Sequence, residues 1–96
     1  MDDSRKEFCE KQRNKIVVKL EIFQEELKEY GELPSEEHLI LINKYSHKIK
    51  ILKEALFRIE KGDYGICRYC HKNIGQARLS MVPETELCLQ CAKNNQ

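Results

Sequence analysis

Two identical Cys-x-x-Cys steps, Cys67-Arg68-Tyr69-Cys70 and Cys88-Leu89-Gln90-Cys91, stand seventeen residues apart in a chain of 96 residues. No other feature narrows the fold as much. A chain this short buries too little apolar surface to be secure without a staple, a metal or a partner. Thiolates bind Zn2+ tetrahedrally at about 2.3 Å, and a Cys-x-x-Cys turn brings two sulfurs to one ion. Two such steps separated by about 15–20 residues close a four-sulfur site with no open coordination position, which predicts a structural ion and no hydrolytic chemistry. The expected ligands are Cys67, Cys70, Cys88 and Cys91, holding one Zn2+ per chain. Iron suits the same donors and stays open at this stage.

Other uses of these cysteines fit less well. The chain has five Cys, so a fully paired disulfide scheme leaves one over. Cys67-Arg68-Tyr69-Cys70-His71 has the form of a c-type haem attachment, but that reading leaves Cys88 and Cys91 without a role. A thioredoxin-like dithiol needs a βαβ setting that the pattern lacks, whereas zinc release on oxidation is open to any four-thiolate site. His71 is expected to face solvent, His38 and His47 to lie on a helix surface, and Cys9 to act as a small buried hydrophobe.

Ahead of the cysteines the apolar pattern is helical. Ile16, Leu20, Phe23, Leu27 and Tyr30 repeat at spacings of 4, 3, 4 and 3. Ile42, Tyr45, Ile49, Leu52, Leu56 and Ile59 repeat at 3, 4, 3, 4 and 3. This is the heptad period at which two helices keep one apolar stripe in register. Helices are predicted over roughly Ser4 to Tyr30 and Glu36 to Lys61, joined by Gly31-Glu32-Leu33-Pro34-Ser35. Gly31 reads as a left-handed helix stop, Pro34 as a barrier to helix continuation, and Ser35 as the cap of the second helix. Gly62 reads as the stop of that helix. The segment Pro83-Glu84-Thr85-Glu86 reads as a helix start, which puts Cys88 and Cys91 on the first turns of a short C-terminal helix.

Equal helix lengths and a short connection predict an antiparallel pair, with the loop at one extremity and the cysteine module at the other. The expected fold is all-α dominated: residues 1–61 form an antiparallel coiled-coil hairpin with its tip at 31–37. A four-cysteine finger at 62–96 follows and ends in the short helix.

Charge is unevenly spread. Glu21, Glu25, Glu26, Glu29, Glu32, Glu36 and Glu37 face one base, Lys28, between residues 21 and 37. Between His38 and Lys61 six bases face two acids. An acidic centre and a net charge of +1 disfavour wholesale phosphate binding, so no sequence-specific DNA binding is expected. Repulsion concentrated toward one end marks the tip as a contact surface, with exposed Leu33 beside it. The carboxylates lie on exposed helix faces without a pocket to raise a pKa, and no enzyme is expected. No apolar run approaches the length of a membrane span. The opening Met1-Asp2-Asp3-Ser4-Arg5-Lys6-Glu7 lacks a signal peptide's apolar stretch, which predicts a cytoplasmic protein.

The residues Ala55-Leu56-x-Arg58-Ile59-Glu60-x-Gly62-x-Tyr64-Gly65-x-Cys67-x-x-Cys70, followed by Ile74, Arg78-Leu79, Pro83 and Cys88-x-x-Cys91, resemble the DksA/TraR family of bacterial zinc-finger proteins. The likeness covers about 40 of the 96 residues. It implies a transcription regulator that binds RNA polymerase, entering the secondary channel with an acidic coiled-coil tip while the zinc region stays near the channel rim. It also implies ppGpp as a co-effector. The residues at the tip that would make the contact are Glu32, Ser35, Glu36 and Glu37, and a monomer is expected. The chain departs from the family at that tip: an Asp-x-x-Asp-x-Ala motif is replaced by Gly31-Glu32-Leu33-Pro34-Ser35-Glu36-Glu37-His38. The family's usual Gly after the second cysteine is His71, which suits a left-handed position. The competing reading is a zinc-stabilised coiled-coil adaptor that binds another protein or itself, with no role in transcription.

Overall fold

The computed structural model describes residues 3–32 and 35–94. Four helices follow in order: α1 (Asp3–Gly31), α2 (Glu36–Lys61), α3 (Gln76–Met81) and α4 (Leu89–Asn94). α1 and α2 pack against one another as a long hairpin, and the molecule measures 47 × 30 × 20 Å. Leu33 and Pro34, on which part of the tip reading fell, lie outside the described residues.

The heptad stripe is the seam. Ile16, Ile49, Leu52 and Ala55 are buried, and Leu20, Phe23, Leu56 and Ile59 pack against them half-buried. Toward the tip the seam turns aromatic. Tyr30 stacks on Tyr45 with ring centroids 5.8 Å apart, Tyr45 meets Phe23 at 5.6 Å, and Tyr30 meets His38 at 5.4 Å. Each fully covered apolar side chain contributes about 1.5–3 kcal/mol.

The helix ends follow local chemistry. Ser35 caps α2 from an extended conformation, its Oγ accepting the His38 N–H at 3.2 Å. Glu36 and Glu37 sit in the first turn, where the helix dipole favours negative charge. At the other end Gly62 takes φ 82°. The Gly62 N–H donates to Ile59 O at 3.2 Å and the Asp63 N–H to Arg58 O at 2.9 Å, a Schellman closure that suits a glycine.

Two expectations need correction. Gly31 is the last helical residue of α1 and is absent from the left-handed positions, which among the described residues are Gly62, Gly65, Gly75 and His71. α1 does end at this glycine, but without the left-handed turn, since glycine tolerates helical dihedrals at a cost of about 1 kcal/mol. Pro83 does not start a helix. Residues 83–84 form a turn, with the Thr85 N–H donating to Val82 O at 3.1 Å, and α4 begins only at Leu89. The finger follows the end of α2. It folds back beside the base of the hairpin, where Tyr64, Cys67, Ile74 and Leu79 join Ile16, Leu52 and Ala55 in one core.

Candidate metal centre and hairpin tip

The first knuckle is a tight reversal. Ile66 and Asn73 form an isolated antiparallel bridge. The Cys67 N–H donates to Lys72 O at 2.8 Å, and Ile74 N–H to Gly65 O at 2.8 Å. His71 closes the turn at φ 61° and donates its N–H to Cys67 O at 3.0 Å. That left-handed position is the one where the family resemblance places glycine, and histidine is among the residues that enter the region more readily than most. The second pair straddles a helix start: Cys88 precedes α4, its carbonyl accepting the Ala92 N–H at 2.9 Å, and Cys91 lies within it.

These turns bring Cys67, Cys70, Cys88 and Cys91 together, with all four sulfurs within 4.8 Å of one another. Cys67 is buried and the other three are half-buried. Sulfurs at the corners of a tetrahedron with arms of about 2.3 Å stand ~3.8 Å apart, and Cys70 Sγ lies 3.7 Å from Cys88 Sγ. The donor set therefore fits a tetrahedral thiophilic ion. Among the described residues this is the one group able to hold a metal, and His71 is outside it.

The backbone prepares the thiols for that ion. N–H groups of Cys70 and Cys88 aimed at the Cys67 sulfur pull its pKa down to about 6, against the opposing effect of burial. The Cys91 N–H, 3.4 Å from the Cys88 sulfur, lowers that thiol too. The last proton of the group is held hard: sharing with Cys88 and Cys67 pushes Cys91 up to about 12. A divalent ion supplies the positive charge that lets all four be thiolates.

Polar ties fasten the finger to the hairpin. Gln12, 1% exposed on α1, donates to the Tyr64 hydroxyl at 3.1 Å and to Leu79 O at 2.6 Å. Tyr64 in turn donates to Pro83 O at 2.7 Å. Burial pushes the Tyr64 phenol up, and the hydrogen bond from Gln12 offsets part of that shift. Glu86 bridges Arg58 of α2 at 3.6 Å and Arg68 of the knuckle at 3.2 Å. Arg78 donates to Leu87 O at 2.8 Å, bracing the approach to Cys88. Lys19 pairs with Glu84 at 3.3 Å. From Lys19 to the end of α1 the helix runs on for about 18 Å at 1.5 Å per residue.

None of these ties is expected from the sequence alone. One signal was available for Gln12. It falls in the heptad slot between Cys9 and Ile16, and a polar residue in such a slot needs a buried partner.

The expected tip residues are exposed. Glu32 follows α1, Ser35 caps α2, and Glu36 and Glu37 point out of its first turn. Glu26 behaves differently from the other acids of the island. It is half-buried, and its carboxylate accepts the Tyr45 hydroxyl, which pushes that phenol up to about 12.

A closed four-sulfur site on a short finger, fused through one core to a helical hairpin, defines a structural zinc protein. Residues 62–93 match the family described as the prokaryotic dksA/traR C4-type zinc finger. The whole fold is similar to the structure of transcription factor DksA2 from Pseudomonas aeruginosa, with a TM-score of 0.67 and 25% identity, covering 98% of this chain and 84% of that one. An uncharacterized protein of Aquifex aeolicus (strain VF5) is 42% identical over 57 residues, or 56% of this chain, and the match spans 39% of that protein's length. Residues 62–93 thus form a zinc finger of the dksA/traR C4 type on a DksA-like fold, and the four cysteines hold one structural Zn2+. No helix among the described residues is long and apolar enough to cross a membrane.

Proposed function

We propose that this DksA/TraR-type regulator controls transcription by binding RNA polymerase, its hairpin entering the secondary channel tip first. In this reading residues 1–61 are the probe and residues 62–96 the finger that seats at the channel rim. Cys67, Cys70, Cys88 and Cys91 ligate the zinc that holds the finger, and Glu32, Ser35, Glu36 and Glu37 make the contact at the tip. The observation that carries the reading is the placement of exposed Glu36 and Glu37 on the first turn of α2, at the end of the hairpin away from the finger. A narrow rod leading with negative charge is drawn to a site containing Mg2+ and basic side chains. The protein then acts as a cytoplasmic monomer without catalysis or DNA contacts of its own, and with ppGpp as co-effector.

The test is co-migration of the zinc-loaded chain with core RNA polymerase, followed by transcription in vitro. E36A/E37A is expected to retain binding through the rest of the molecule and to lose the effect on transcription. Absence of any association at modest salt overturns the reading.

A second reading, an adaptor that binds another protein or itself, rests on Leu39 and Ile40. They are 51% and 72% exposed on α2, one turn past the tip acids. If L39S/I40S abolishes partner binding while E36A/E37A leaves it whole, the adaptor reading replaces the first.

A further inference from the structure

At the base of the hairpin a cavity of about 220 Å³ opens between α1, the end of α2 and the loop that follows it. Its walls are mostly apolar and come from Cys9, Ile59 and Tyr64. The Tyr64 hydroxyl is engaged by Gln12 and Pro83, so that residue offers the cavity its ring. The rim is cationic: Arg5, Lys6 and Arg13 stand around it against a single carboxylate, Glu10. Among the described residues Lys6 and Arg13 have no ion-pair partner.

We infer that this cavity is a binding site for a small aromatic anion, one flat ring bearing a phosphate group. Size sets the ring: an apolar cavity of about 150 Å³ admits benzene, so 220 Å³ takes one ring with room to spare. Charge sets the headgroup. Two cations with no ion-pair partner among the described residues, beside an apolar slot, attract an anion strongly only where water is partly excluded, and a ring in the slot excludes it. An anion without a ring leaves the apolar walls wet, and a ring without an anion leaves the cations unused. Mononucleotides and non-nucleotide aryl phosphates share this chemistry.

The probe is phenyl phosphate, titrated into the zinc-loaded full chain by calorimetry and by amide chemical shifts. We expect saturable binding with shifts centred on Cys9, Ile59 and Tyr64. Binding should weaken roughly tenfold for each cation removed in K6Q and R13Q, and be unchanged in K11Q/K15Q, whose exposed cations lie outside the cavity. All four positions are exposed, so the folded chain tolerates them, and unaltered finger shifts check that. Adenosine monophosphate separates the sources: competition assigns a nucleotide, and its failure beside bound phenyl phosphate assigns a non-nucleotide aryl phosphate. The inference is overturned if phenyl phosphate does not saturate, if inorganic phosphate binds equally well, or if K6Q/R13Q binds as the unsubstituted chain does.

Discussion

Gln12 donates a hydrogen bond to the hydroxyl of Tyr64 at 3.1 Å, across 52 positions of sequence. The same amide reaches Leu79 O at 2.6 Å, so one side chain of α1 holds the loop before the first cysteine pair and the end of α3 at once. A buried amide of this kind fixes how the finger sits on the hairpin, because any other seating strands its donors.

Gln12→Leu keeps the volume and removes both donors. It is expected to lower unfolding free energy by about 1–3 kcal/mol in urea with the zinc content unchanged. Lys19→Ala, which removes a pair whose lysine is 41% exposed, is expected to cost under ~1 kcal/mol. Equal costs for the two would show that the seating does not depend on the buried amide.

Tyr45 gives the fold an alkaline limit. Its phenol ordinarily titrates at 10.0 and is pushed up to about 12, first by the hydrogen bond to Glu26 and then by burial. A folded value above the unfolded one means that the neutral phenol stabilises the fold. That contribution is whole below pH 10 and fades as pH climbs toward about 12. The stability difference between the unsubstituted chain and Tyr45→Phe should therefore be constant below pH 10 and shrink above it. Glu26→Gln should bring tyrosinate absorbance in at lower pH. Tyr64, raised mainly by burial, adds a loss of the same sign.

Zinc and hairpin should fail together. Cys67 packs in one core with Ile16, Leu52 and Ala55. A structural zinc is worth about 10–16 kcal/mol apparent in small finger peptides, against about 5–15 kcal/mol for a whole domain's stability. Chelation, or Cys67→Ser, is expected to reduce zinc below one ion per chain and to lower helical circular dichroism well beyond the few residues of α4. Full retention of hairpin helicity without metal would separate the two units.

The helices and the metal centre were legible because their causes are local. Heptad spacing, the Ser35 cap, the Gly62 stop and the two Cys-x-x-Cys turns each act within a few residues. Gly31 marked the end of α1 but not its conformation, because glycine is permitted in helical as well as left-handed dihedrals. Pro83 misled because the residue that opens a helix also opens a turn. α3, at six residues, is too short to show a period. The heptad slot of Gln12 calls for a buried partner without naming it, and the ties of Arg58, Glu84 and Glu86 have no local signal, since all of them depend on the finger turning back along the hairpin. A polar residue on a helix does not announce a partner 52 or 67 positions away.

The central claim, that the hairpin tip works inside RNA polymerase, is tested most directly by a photo-crosslinking amino acid at position 35 in the zinc-loaded chain bound to core enzyme. Ser35 is exposed between the tip acids, and crosslinks to residues lining the secondary channel are expected. Crosslinks confined to the outer surface of the polymerase, or none from a chain that still co-migrates with it, would contradict the account.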